Sequence, residues 1–278
     1  MAFAAAFVSL CDCRLHLRYG GVSGYVLRLC VTFQETHAKA RRGGIRAFAG
    51  LTKGTDGLVG SHDGVLASED EARGWIADAF GPTPAQWARL ERFAAMLVAE
   101  NDRQNLIAAS TVPNLWVRHI ADSAQLLDLD GDRVGLWVDL GSGPGLPGLV
   151  VAILTERPML LVESRKRRCD FLRDVAGELG LRHVEVSEAR LEAVETRAAA
   201  TISARAFAPL DRLIDLSARF STESTRWLLP KGRNAVKELA LLPRAWQSLF
   251  HVEHSRTDPE SRILVGHGHF VSKKRGKA

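Results

Sequence analysis

Residues 138–148 read Val-Asp-Leu-Gly-Ser-Gly-Pro-Gly-Leu-Pro-Gly. An apolar run from Val134 to Val138 reaches an acid, Asp139, and Gly141, Gly143, Gly145 and Gly148 follow in quick succession. The apolar stretch Leu149 to Leu154 then predicts a helix. Strand, glycine turn and helix start follow one another here. Glycine has no Cβ, so a ligand can press directly against such a turn. In α/β proteins a turn of this kind follows the first strand and holds a nucleoside-bearing ligand.

Two ligand classes use this arrangement. Gly143-Pro-Gly145-Leu-Pro-Gly148 matches the Gly-x-Gly-x-x-Gly string of dinucleotide-binding turns, a weak signal when it stands alone. Three features favour S-adenosylmethionine instead. Asp139 ends the strand two residues before the first glycine, where a carboxylate can meet a cationic methionine end but would repel a pyrophosphate. Pro144 and Pro147 disfavour a helix starting inside the loop, as early as the dinucleotide turn needs. Glu163 ends the next predicted strand, Met159-Leu-Leu-Val-Glu163, where a carboxylate accepts hydrogen bonds from ribose hydroxyls. Both ligands carry a ribose there, so Glu163 supports nucleoside binding without separating them.

Working outward, strands and helices alternate after the loop. Strands are expected at 134–139, 159–163, 183–187, 200–204 and 226–229, with helices near 147–155, 165–179 and 208–220. Such alternation predicts a parallel sheet covered on both faces. Two apolar runs, 246–254 and 261–267, flank Asp258-Pro259-Glu260 and predict a closing antiparallel hairpin. Before the loop the pattern is helical. Ser68 with Glu71 forms a capping-box pattern, and Trp75, Ile76, Ala79 and Phe80 share a face. Gly81-Pro82 breaks that helix. Pro84 opens a second with Trp87, Leu90, Phe93, Ala94 and Leu97, and a third runs from Pro113 through Leu127. Residues 65–130 are thus expected to form a helical cap, and residues 131–278 the ligand-binding domain. Residues 1–64 show no sustained period and are expected to be a poorly structured extension. Either it is a targeting segment, or translation starts near Val65 or Leu66 and the extension is not native.

The chain has 278 residues, 46% hydrophobic and 25% charged, with a net charge of +5. Residues 1–64 hold eight Lys/Arg against four Asp/Glu, leaving 29 against 28 in the rest. Any nucleic-acid footprint must therefore come from clustering. Two clusters stand out, Arg165-Lys166-Arg167-Arg168 and the tail Lys273-Lys274-Arg275 with Lys277. No apolar run approaches the roughly 20 residues of a membrane span. Of four cysteines, Cys11, Cys13 and Cys30 fall in the first 30 residues, and no pairing has zinc-site spacing. Cys169 reads as a small core residue. A reducing compartment, the cytoplasm, is expected, and no metal site.

Further blocks carry a resemblance. Asn105-Leu106-Ile107, Arg118-His119-Ile120-Ala121-Asp122-Ser123 and the glycine loop come first. Leu161-Val-Glu163-Ser164, Lys166-Arg167, Phe171-Leu172-Arg173 and Glu178-Leu179 follow. Last are Ala189-Arg190-Leu191-Glu192, Arg205-Ala206-Phe207-Ala208-Pro209-Leu210 and Pro230-Lys231-Gly232. In this order and spacing, residues 68–250 resemble the small-subunit (16S) ribosomal RNA guanine-N7 methyltransferases, the glucose-inhibited division protein B family. The resemblance implies an α/β, Rossmann-like class I methyltransferase fold, mostly parallel, with an N-terminal helical cap. It implies S-adenosylmethionine as cofactor and 16S rRNA or the 30S particle as partner, with the enzyme a monomer away from membranes. Cofactor positions fall on Gly141, Leu146, Leu191, Glu192 and Arg205, beside Asp139, Gly143 and Glu163 from the motif itself. Lys166, Arg167, Arg190 and Lys231 are expected RNA contacts, alongside Arg205. One departure is Ala198-Ala199-Ala200, where the family commonly has an acid opening the fourth strand.

The chemistry implied is economical. Methylating a pyrimidine carbon usually needs a cysteine nucleophile, and Cys169 lies in a charged helix. Methylating an exocyclic amine usually uses an Asn/Asp-Pro-Pro-aromatic loop, which this sequence lacks. Guanine N7 offers an exposed lone pair and no proton to remove, so alignment matters more than acid–base help. No catalytic residue is therefore named. His119, Asp122 and Ser123 are expected either to line the mouth of the site or to tie the cap to the core. A methyltransferase on another substrate, an NAD-type oxidoreductase and a non-catalytic ribosome-assembly factor remain the alternatives.

Overall fold

The structure, a computed structural model, describes residues 64–270. The expectations for residues 1–63, including Cys11, Cys13 and Cys30, and for the basic tail from Lys273 lie outside them. No helix of the described residues is long and apolar enough to cross a membrane.

Helix α1 spans Glu69–Phe80. Ser68 Oγ accepts from the Glu71 amide at 3.2 Å, while the Glu71 carboxylate accepts from Ala67 N at 2.7 Å, one residue earlier than a capping box requires. The complete box opens α2, Pro84–Gln104. There Thr83 Oγ1 accepts from Gln86 N at 3.2 Å, and Gln86 Oε1 accepts from Thr83 N at 2.9 Å. The predicted third helix is broken into three parts. A 3-10 turn, Ala109–Asn114, holds Pro113; a π turn, Trp116–Ala121, follows; regular helix α3 covers Asp122–Asp130. The cause is local. Glu69 accepts the amides of Trp116 and Val117, both at 3.0 Å, so these donors are satisfied from α1.

The remaining elements are β1 (Trp137–Leu140), α4 (Gly148–Leu154), β2 (Met159–Glu163), α5 (Lys166–Glu178), β3 (Val184–Glu188) and β4 (Thr201–Ser203). Then come α6 (Leu210–Ser217), β5 (Arg226–Pro230), α7 (Ala235–Ala240), α8 (Arg244–Gln247), β6 (Phe250–His254) and β7 (Arg262–His267). All seven predicted strands form. The first begins at Trp137 rather than Val134, because Gly135 takes φ 104° and Val134 is exposed. The 246–254 run starts as the short helix α8, so strand begins only at Phe250. The triple alanine leaves β4 three residues long, starting at Thr201.

The strand order is β3-β2-β1-β4-β5-β7-β6, parallel from β3 to β5 with an antiparallel β6–β7 hairpin at the edge. This is the expected Rossmann-like class I methyltransferase arrangement. Helices α1 to α5 share one core over one face, joining Trp75, Leu90, Phe93 and Ile120 to Leu149, Leu161 and Leu172. The 130/131 boundary therefore marks a change of element type within a continuous core. The other face packs α6, α7 and Phe220 on Val138, Ile202 and Trp227. Each fully buried large side chain contributes roughly 1.5–3 kcal/mol. The order reverses between β1 and β4, which opens a crevice beyond their carboxyl ends.

Candidate active site

The glycine loop leaves β1 into that crevice. Gly141, Gly143 and Gly145 take φ of 67°, 55° and 88°, in the left-handed region that side chains resist. The amides of Gly141 and Ser142 donate to Val162 O at 2.8 and 3.0 Å, which ties the loop to the neighbouring strand. Helix α4 starts only at Gly148, after both prolines. Gly148 is there for contact. A Cβ on it would lie 2.3 Å from Leu161 Cδ2 and 2.8 Å from Asp139 Oδ2.

Asp139 corrects an expectation. Its carboxylate is fully buried beneath the loop. Oδ2 accepts from Gly148 N at 3.3 Å, and Oδ1 accepts from Ser203 Oγ at 2.7 Å. Ser203 in turn accepts from Trp137 Nε1 at 2.8 Å. The register explains this, since Asp139 and Ser203 face each other on β1 and β4. The acid braces the loop from inside. Burial pushes its carboxyl up to about 6, against the lowering effect of its hydrogen bonds.

Above the loop lies a cavity of about 480 Å³. Gly141, Glu163, Leu191 and Glu192 line it, four of the expected cofactor positions, together with Arg190 and Phe207. The Glu163 carboxylate accepts from Ser164 N at 2.7 Å, Arg165 N at 2.8 Å and Gly143 N at 3.1 Å. Gly143 thus acts by holding Glu163. Leu146 is turned into the core and does not reach the cavity. Phe207 was not singled out by sequence, yet its ring covers Gly141, where an added Cβ would meet Phe207 Cδ2 at 2.5 Å.

A second cavity, about 610 Å³, shares the wall Ala206–Pro209 with the first. Arg205 lines this one, not the cofactor cavity, beside His119, Asp122 and Lys231. Arg205 Nη1 donates to Asp122 Oδ2 at 3.1 Å, and Asp122 Oδ1 accepts from Thr257 Oγ1 at 2.8 Å. Thr111 Oγ1 donates to Ala108 O at 2.7 Å, so at 2.8 Å from His119 Nε2 it accepts. That fixes the tautomer: Nε2 carries the proton and Nδ1 accepts from Arg205 Nη2 at 3.5 Å. Burial first, then the charges of Arg205 and Arg118, drive the His119 pKa down to about 3. His119 and Asp122 both line this cavity, and Asp122 ties the cap to Arg205 after β4 and, through Thr257, to the hairpin turn. Ser123 is buried and donates to His119 O at 2.6 Å.

The predicted RNA contacts divide. Arg190 is exposed at the rim of the first cavity. Lys166 is exposed but pairs with Asp170 at 3.1 Å, and Arg167 donates to Arg103 O at 3.2 Å. Lys231 corrects another expectation. Only 8% of its side chain is exposed, and Nζ donates to Ala208 O at 2.6 Å and pairs with Glu238 at 3.0 Å. Glu238 also accepts from Leu210 N at 2.8 Å. The pair clamps the 205–210 segment. Arg165, from the basic cluster 165–168, and Arg212, which no sequence pattern marked, join Arg190 in lining the first cavity, and neither has a carboxylate partner among the described residues.

Comparison with known proteins follows this geometry. A protein of Sphingopyxis alaskensis named ribosomal RNA small subunit methyltransferase G is 75% identical over 215 residues, 77% of this chain and 92% of that protein. One of the same name from Erythrobacter litoralis is 52% identical, covering 73% of this chain and 98% of its own. That from Zymomonas mobilis is 44% identical over 76% and 99%. The model of the family described as rRNA small subunit methyltransferase G matches residues 86–262, which take in the glycine loop, both cavities' walls and most of the cap. With the loop, the cavity and the strand order in place, this chain belongs to the rRNA small subunit methyltransferase G family.

Proposed function

We propose that this protein transfers a methyl group from S-adenosylmethionine to N7 of a guanine in 16S rRNA. The observation that carries the reading is the cavity walled by bare Gly141, the Glu163 carboxylate and Leu191. Its features suit an adenosine-bearing ligand. Glu163 suits ribose hydroxyls, Leu191 supplies an apolar wall, and the missing Cβ of Gly141 lets the Phe207 ring pack down beside them. When bound, S-adenosylmethionine supplies an electrophilic methyl group. The chain's residues orient the two reactants and exclude water. At N7 the lone pair points outward with no proton to move, so alignment is the main demand.

Arg165, Arg190 and Arg212 stand exposed around the same mouth and suit RNA phosphates. Phosphate contacts position the RNA without selecting its sequence, and the guanine must be unstacked or presented in a loop. The relatives' name supports rRNA as the substrate. We place the enzyme in the cytoplasm as a monomer acting on the 30S particle. Small subunits from cells lacking the activity should gain 7-methylguanosine in 16S rRNA when given the protein and S-adenosylmethionine. Mass mapping that finds the methyl on another atom would overturn the reading. Transfer to naked 16S rRNA, with none to the particle, would overturn the choice of partner.

A further inference from the structure

Phe207 lines both cavities, and among the described residues no other Phe, Tyr or Trp lines either. The ring is half-buried rather than sunk in the core. Its backbone is held by unusual means. Ala206, just before it, takes φ 52°, a left-handed conformation that non-glycine residues rarely hold and that persists only where surroundings enforce it. The surroundings do so from three elements. Asp122 holds Arg205 at 3.1 Å, Lys231 holds Ala208 O at 2.6 Å, and Glu238 holds Leu210 N at 2.8 Å. Filling core space needs none of this. Presenting a flat apolar face at a fixed place, between two cavities, does.

A purine taken out of its stack loses base–base contact and needs an aromatic surface in exchange. The 610 Å³ cavity falls within the range of sites that enclose small ligands. Arg205 and Asp122 line it together with Phe207, and the guanidinium N–H groups and carboxylate lone pairs left over from their mutual contact are donors and acceptors suited to base edges. We propose that this second cavity receives the unstacked acceptor guanine and that Phe207 is its stacking face. The ring then holds the base against the wall shared with the cofactor cavity. This assignment rests on the guanine-methylating reading above.

The test uses the full chain with Phe207→Leu and Phe207→Tyr. Methyl transfer to undermethylated small subunits is measured at saturating S-adenosylmethionine, with cofactor affinity from calorimetry and folding from thermal melts. Phe207→Leu should lower kcat/KM for the subunit roughly 10- to 100-fold, the range of a lost base–aromatic stack. Because Phe207 also walls the first cavity, cofactor affinity is measured for each variant and should change less than kcat/KM does; the melt should stay intact, and Phe207→Tyr should restore transfer to within about threefold. Leucine working as well as phenylalanine would overturn the assignment. So would a loss that vanishes at saturating cofactor, which would make the ring a wall of the first cavity only. A tyrosine variant that folds but fails like leucine would also overturn it. Failure of the guanine reading shows separately, in the unaltered protein, as no 7-methylguanosine formed, and it would take this assignment with it.

Discussion

Replacing Asp139 with asparagine should change how stability depends on pH. The carboxyl is fully buried and its pKa rises from 3.8 to about 6 on folding. Between those values the folded chain binds a proton that the unfolded chain has released, so stability falls as pH rises. The favourable contribution is full below about pH 4 and lost by the time pH passes about 6. At about 1.4 kcal/mol per pKa unit, the loss is about 3 kcal/mol. Asparagine has the same shape. Its amide oxygen can accept from Gly148 N and its NH₂ can donate to Ser203 Oγ, but it does not titrate. His119 acts in the opposite sense. Its pKa falls from 6.5 to about 3, so the unfolded chain takes up the extra proton and stability drops on acidification. That contribution is common to both proteins and cancels in their difference. Urea unfolding of both from about pH 4 to pH 7.5 should show wild type losing about 3 kcal/mol relative to Asp139→Asn as pH rises. With an m-value of about 2 kcal/mol per molar, that is a relative midpoint shift of about 1.5 M. Parallel curves would refute the buried-carboxylate reasoning. A tenfold or greater loss of S-adenosylmethionine affinity at pH 7 with stability unchanged would show that a ligand reaches the carboxylate after all.

Other perturbations separate bracing residues from contact residues. Gly148→Ala drives a methyl into Leu161 and Asp139, so Tm should fall by roughly 2–12 °C, and an unchanged melt would show that the helix can shift freely. Lys231→Met removes the clamp on Ala208 and leaves Glu238 short of a partner. It should cost about 2–4 kcal/mol by chemical denaturation while leaving the salt dependence of RNA binding unaltered. Arg190→Ala should do the reverse, keeping stability and reducing the slope of log K against log salt by about 1, as a filter-binding series would show. The His119 ring should stay neutral from about pH 8 down to about pH 4.5, so its NMR signals should not titrate there; a midpoint near 6.5 would break the tautomer chain through Thr111 and Arg205.

What could be read from sequence depended on how far apart the interacting residues lie. The strands were legible because both faces of a parallel sheet are buried, so Trp137–Leu140, Met159–Glu163 and Arg226–Pro230 stand out as apolar runs. The glycine loop and Glu163 were legible because their roles follow from local backbone freedom and position at a strand end. The bracing role of Asp139 was not legible because its partner, Ser203, lies 64 residues away and only the β1–β4 register makes them neighbours. Lys231 was misread for a similar reason. A lysine after a strand looks like an offered charge until α7, which the sequence pattern did not mark, brings Glu238 against it. Phe207 was legible only as one residue of the Arg205–Leu210 block; its setting was not, since alanine has no preference for the left-handed conformation that Ala206 adopts. Its setting is built by Asp122 from the cap, Lys231 after β5 and Glu238 on α7. The same three contacts explain why the cap belongs to the site. With Asp122 holding Arg205, and Thr257 of the hairpin turn holding Asp122, the wall between the cavities is fixed from both ends of the described chain. Cap and hairpin thus both bear, through Asp122 and Arg205, on the segment that carries Phe207, where the two cavities meet.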